Sequence, residues 1–184
     1  ITPNQISILS IVMALISMFC FYYSSHNSIL LITGAIFIQM RLLCNLFDGM
    51  VAVEHGKKTS TGDIYNDFPD RLADVFIIMG LALSVREMPH AIHIGWAASV
   101  FAVMTAYVRV LGRSLGTESY FIGPMAKQHR MFLITLSAIV DFILLKASVD
   151  FSISYYSLII IFIGSVYTSF RRLFKIIKDK EAGA

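Results

Sequence analysis

The chain has 184 residues, of which 57% are hydrophobic and only 15% charged, and its mean hydropathy is +0.72. A soluble domain carries about 25% charged residues, so this chain has too few charges to coat a globule in water. A soluble enzyme, a disordered chain and a disulfide scaffold are excluded. The net charge of +3 comes without a basic tract long enough to suggest a nucleic-acid partner, which leaves an integral membrane protein.

Six hydrophobic segments follow one another. No Asp, Glu, Lys or Arg precedes Arg41. Residues 6–23 are almost wholly apolar, close to the roughly 20 residues that cross a hydrocarbon core. Ser24–Ser28 forms a polar break, and a second segment runs over 29–52. The third, 62–85, is polar in its first half and apolar in its second. The fourth spans 91–111, the fifth 131–147 and the sixth 153–170. Long uninterrupted segments predict helices rather than the ten-residue alternation of a membrane barrel. The expected fold is an all-α, six-span membrane protein with one domain over 1–184. Cys20 and Cys44 both lie in apolar stretches and read as small buried hydrophobes.

The loops predict the orientation. Lys57 and Lys58 follow segment 2, Arg113 and Lys127 lie between segments 4 and 5, and Arg171, Arg172, Lys175, Lys178 and Lys180 follow segment 6. Only Arg86 and Lys146 flank the opposite turns. The positive-inside rule then places both termini in the cytoplasm. The tail 171–182 is expected to rest on anionic headgroups of the membrane lipids.

The polar residues of the membrane segments carry the chemistry. A carboxylate at membrane depth costs about 2.5–3.5 kcal/mol on insertion scales, yet the acids here cluster. Asn45 and Asp48 are three residues apart, and Asn66, Asp70 and Asp74 follow at intervals of four, so each set shares a helix face. The two helices are joined by roughly ten residues, so they are expected to be antiparallel neighbours whose oxygens converge. Such a set suits a hard cation, Mg2+ or Mn2+. Gly49 clears space for a substrate or a facing backbone. Downstream, Arg109 ends segment 4, while Lys127 and Arg130 share a helical face at the entry to segment 5. Three cations near a membrane entrance suit a phosphate. Arg41, one turn before Asn45, either pairs with a carboxylate of the cluster or snorkels. Asp141, inside segment 5, faces another helix or the outer interface.

This pattern resembles the CDP-alcohol phosphatidyltransferases, whose signature has the form D-x2-D-G-x2-A-R-x8-G-x3-D-x3-D. Asp48, Gly49, Ala52, Gly62 and Asp70 stand at matching positions. The first and third aspartates are Asn45 and Asn66 here, and the arginine is Val53, which is similar to a subgroup with asparagine at those two places. A gapped register instead makes Asp70 and Asp74 the last two aspartates. The resemblance implies metal-dependent transfer of a phosphatidyl group from a CDP-lipid donor such as CDP-diacylglycerol to a small alcohol acceptor, with CMP released. It implies metal ligands among Asn45, Asp48, Asn66, Asp70 and Asp74, and Asp70 as the base. Gly49, Ala52, Gly62, Arg109, Lys127 and Arg130 would contact substrate, and Lys57 and Lys58 would replace the missing arginine. A phosphorylated acceptor, a homodimer and an active site at the cytoplasmic face of the cell or inner membrane are also implied. The rival readings are an intramembrane prenyltransferase, which also clamps a diphosphate with aspartates, and a divalent-cation transporter. Against the transporter, the acids gather at one membrane face and no inverted repeat is visible.

Overall fold

A computed structural model describes residues 3–54 and 62–182, with the side chains at 3, 4, 48, 49, 51–54, 62, 63, 65 and 66 outside the described set. Helices α1 (Pro3–Tyr23), α2 (Ile29–Glu54), α3 (Gly62–Ser84), α4 (Ala91–Ser114), α5 (Lys127–Lys146) and α6 (Ile153–Ala182) run up and down in one bundle. Among the described residues there is no strand. Short turns join α1 to α2, α3 to α4 and α5 to α6 at one end. The opposite end holds the α2–α3 connection and the longer α4–α5 loop, residues 115–126.

Five helices are long and apolar enough to cross a membrane, and α3 is the exception. Its first half carries Asp63, Asp67, Asp70, Arg71 and Asp74. Its second half is buried against its neighbours through Ile77, Ile78, Leu81 and Ala82. α3 touches α1, α4, α5 and α6, and its Asp70 and Asp74 are buried against cations, which is how acids are tolerated there. The other helices turn Ile8, Val12, Ile36, Leu43, Val100, Phe132, Ile139, Ile160 and Ile163 outward. In water those surfaces would be costly; in hydrocarbon they are the solvated face.

Small residues let the helices close. Gly34 of α2 lies against the Phe21 ring, where an added Cβ would sit 2.8 Å from the ring. The Ser17 hydroxyl donates to the Gly34 carbonyl at 3.0 Å, satisfying a hydroxyl that is otherwise buried.

Asp141 faces α6, not lipid. Its carboxylate accepts from the Ile153 amide at 2.6 Å, the Ser154 amide at 3.1 Å and the Ser152 hydroxyl at 3.0 Å. It caps the first turn of α6 from a neighbouring helix, meeting both the free amides and the positive end of the dipole. α6 continues unbroken to Ala182; in the basic tail Arg172 and Ile176 are buried against the protein, while Phe174 and Ile177 are exposed.

Candidate active site

The α2 and α3 helices meet through polar side chains. Arg41 is fully buried. Its Nη2 donates to Asp70 Oδ1 at 3.0 Å and to Asp74 Oδ1 at 3.2 Å. One turn further along α2, Asn45 Nδ2 donates to Asp70 Oδ1 at 2.6 Å. α5 closes the other side. Lys127 Nζ reaches Asp70 Oδ2, and Arg130 Nη2 reaches Asp74 Oδ2 at 2.6 Å. Two acids four residues apart on α3 thus pair with two cations three residues apart on α5, rung by rung.

The two rungs differ. Asp74 and Arg130 are buried, at 0% and 1% exposure. Arg130 Nη1 spends its proton on the Met125 carbonyl at 2.8 Å. Asp74, expected among the metal ligands, has both oxygens taken by guanidinium groups. The carboxylate bridges Arg41 of α2 and Arg130 of α5 and so holds three helices together. Arg130, expected to meet an acceptor, pairs with Asp74 and also borders open space, as do Asp70 and Lys127.

That space is a cavity of about 400 Å³ bounded by α3, α4, α5, α6 and the α4–α5 loop. Among the described residues, Arg71, Arg109, Arg113, Lys127, Arg130 and Arg172 line it, with Asp67 and Asp70 as the acids. Arg109 is held by Asp67 at 3.1 Å and lies over the Phe121 ring. Arg172 donates from Nε to the Ile122 carbonyl at 2.9 Å and from Nη1 to the Thr105 carbonyl at 2.6 Å. Crowded cations in a partly dry pocket form a field that attracts anions. The arrangement sets a carboxylate that can accept a proton beside a basin for phosphate.

Asn45, Asp70, Asp74, Arg109, Lys127 and Arg130 are therefore brought to one end of the bundle. Lys57 and Lys58 lie outside the described residues, as do the side-chain surroundings of Asp48, Gly49, Ala52, Gly62 and Asn66, whose backbone is helical. Among the described residues no three His, Cys, Asp or Glu side chains gather to hold a metal. Arg172 is a cavity residue that the sequence reading assigned to the tail. Of the two roles open to Arg41, the structure selects pairing.

The model of one family, the CDP-alcohol phosphatidyltransferases, matches residues 1–169. The chain belongs to this family. It is 25% identical over 175 residues to an archaetidylinositol phosphate synthase of Pyrococcus horikoshii, covering 94% of this chain and 86% of that one. Solved structures of a Mycobacterium tuberculosis phosphatidylinositol phosphate synthase share its fold. The form with CDP-DAG bound superposes with a TM-score of 0.79 at 18% identity, over 96% of this chain and 86% of that one. The form with manganese and citrate gives 0.80 at 19%, over 96% and 82%. Membership in this family of phospholipid-synthesis transferases makes the chain a phosphatidyltransferase and disfavours both the prenyltransferase and the transporter. The helix pair α2–α3 that holds Asn45 and Asp70 in this phosphatidyltransferase is also the pair that carries the spaced signature.

Proposed function

We propose that this phosphatidyltransferase moves a phosphatidyl or related lipid phosphoryl group from a CDP-lipid to a phosphorylated alcohol of the inositol phosphate type, releasing CMP. The observation that carries this reading is the cavity beside Asp70, with six cations and two carboxylates among the described residues. An uncharged polyol would leave that field uncompensated. The similarity to an archaetidylinositol phosphate synthase of Pyrococcus horikoshii supports the same acceptor class. The loop charges support a cytoplasmic site.

In this reading Asp70 takes the proton of the acceptor hydroxyl. The hydroxyl oxygen bonds to the lipid-side phosphorus, the diphosphate P–O bond breaks, and CMP leaves. Lys127 touches Asp70 and lines the cavity, so it orients the acceptor phosphate beside the base. Arg109 and Arg172 supply further charge. Asp74 orients Arg41 and Arg130 and stays out of the chemistry. Asn45 and Asp70 present hard oxygens that would hold Mg2+ or Mn2+, and Asp48 and Asn66, at the matching signature positions, would be the further ligands. When bound, the cation neutralises charge on the diphosphate.

Asparagine at position 45 has a consequence for stability. Its amide donates to Asp70 Oδ1 at 2.6 Å, and an aspartate there could not. Asn45→Asp sets two carboxylates face to face, so without divalent cation the melting temperature should fall, by about 2–4 °C for each kcal/mol lost. Added Mg2+ or Mn2+ should raise it by more than in the wild type. Equal melting with and without metal would remove Asn45 from the ligand set.

The test of the function is CMP release by purified protein in proteoliposomes. The substrates are labelled CDP-diacylglycerol and inositol phosphate, glycerol 3-phosphate, inositol or serine. Release with the phosphorylated alcohols alone supports the reading, and release with inositol or serine alone rejects it. Arg109→Ala should raise the KM of the phosphorylated acceptor.

A further inference from the structure

The α4–α5 loop walls the cavity with Ser119, Phe121 and Ala126, and its anchors stand in one row on α6. The Met125 amide donates to Thr168 Oγ1 at 3.1 Å. Gly123, at φ +115°, lies so close to Thr168 that an added Cβ would sit 2.6 Å from it. Arg172 holds the Ile122 carbonyl at 2.9 Å. Lys175 lies 5.5 Å from the Tyr120 ring centre and bonds Asp179 at 2.7 Å. The Tyr120 hydroxyl donates to Asp179 Oδ2. Lys180 donates to the Leu115 carbonyl at 3.1 Å. Positions 168, 172, 175 and 179 recur at intervals of four, three and four, which is one face of a helix. Beyond Thr168 these anchors lie past residue 169, where the family match ends.

We infer that the last turns of α6 position the α4–α5 loop as a wall of the acceptor cavity, with Tyr120 and Asp179 as the latch. The inference rests on the acceptor reading above. Arg172 and Phe121 show the coupling. Arg172 lines the cavity while gripping Ile122, and its neighbour Phe121 lies under Arg109. A loop released from Asp179 would let Phe121 and Arg109 move together, loosening the phosphate basin and leaving Asp70 in place. The bond to Asp179 pushes the Tyr120 hydroxyl up to about 12, so it remains a donor at neutral pH. Tyr120 and Asp179 are thus positioning residues, acting through the loop.

The test uses the full chain in detergent and in proteoliposomes. Tyr120→Phe and Asp179→Ala should speed amide exchange in peptides spanning 115–126 without changing α4. They should raise the acceptor KM about three- to tenfold, as expected for losing one part-exposed charge-assisted hydrogen bond. The kcat and the donor KM should stay within about twofold of wild type. Asp179→Asn, which keeps an acceptor oxygen, should fall between wild type and Asp179→Ala. Lys178→Ala, on the same turn, should change neither quantity. Unchanged exchange overturns the latch, and faster exchange with an unmoved acceptor KM overturns the positioning role. If Arg109→Ala raises the acceptor KM while the latch variants do not, the inference fails and the acceptor reading stands. If Arg109→Ala is also silent, the acceptor reading fails and takes the inference with it.

Discussion

Asp74→Ala is expected to yield a protein that barely folds. The carboxylate is fully buried and bridges Arg41 of α2 to Arg130 of α5. Among the described residues, removing it leaves Arg130 without an ionic partner and Arg41 with Asp70 alone. Breaking a buried ion pair from one side costs about 3–5 kcal/mol, a large share of the stability of most domains. Thermal unfolding in detergent, followed by size-exclusion fluorescence, would show the loss. Removing the α3–α5 rung as a pair, with Asp74→Leu and Arg130→Met together, should recover part of it, because no guanidinium on α5 is then stranded. If Asp74→Ala melts like wild type and loses only its response to metal, Asp74 is a ligand and the structural role assigned to it is wrong.

Asp70→Asn should behave in the opposite way, folding but not turning over. Arg41 keeps Asp74, and Lys127 borders the cavity, where water can solvate it. Stability should therefore drop by no more than about 1.5–3 kcal/mol, the range for one hydrogen bond to a charged group. The base is gone, however, and general-base catalysis contributes about 10²–10⁴-fold. CMP release should fall by that factor at saturating metal, measured by single-turnover quench. If folded Asp70→Asn retains activity while folded Asp74→Asn loses it, the gapped register of the signature is correct and the base is Asp74.

The contrast between these two aspartates marks where the sequence stops being informative. Both lie on one ridge of α3, four residues apart, and spacing alone treats them alike. Their roles diverge because α5 delivers Lys127 to one and Arg130 to the other, and because Asp70, unlike Asp74, lines the cavity. The packing of α5 beside α3, more than fifty residues away in the chain, leaves no mark on local periodicity. The six segments, by contrast, were legible, since each is a long apolar run with polar breaks. The α2–α3 meeting point was legible from Asn45 and Asp70. α3 met its length but not its apolarity; Asp70 and Asp74 of its charged half are buried against cations of α2 and α5.

Arg172 shows a second limit. It follows Arg171 in a basic stretch that reads as a tail resting on anionic headgroups. Its partners are backbone carbonyls of Ile122 and Thr105, which no side-chain motif announces. Asp141 was visible as an anomaly in segment 5 but not as a cap, because its partners begin α6 across a turn. Arg41 was visible as the first charge in the chain, one turn from Asn45, and its pairing required the position of α3.

The most direct measurement is mass spectrometry of the lipid formed by the wild-type protein in proteoliposomes from CDP-diacylglycerol, Mg2+ or Mn2+ and inositol phosphate carrying 18O in its free hydroxyls. The expected result is one lipid product that retains the acceptor's phosphate monoester and one 18O in the new phosphodiester, formed in step with CMP. A product lacking the acceptor phosphate, or CMP appearing with water as the only acceptor, would contradict it.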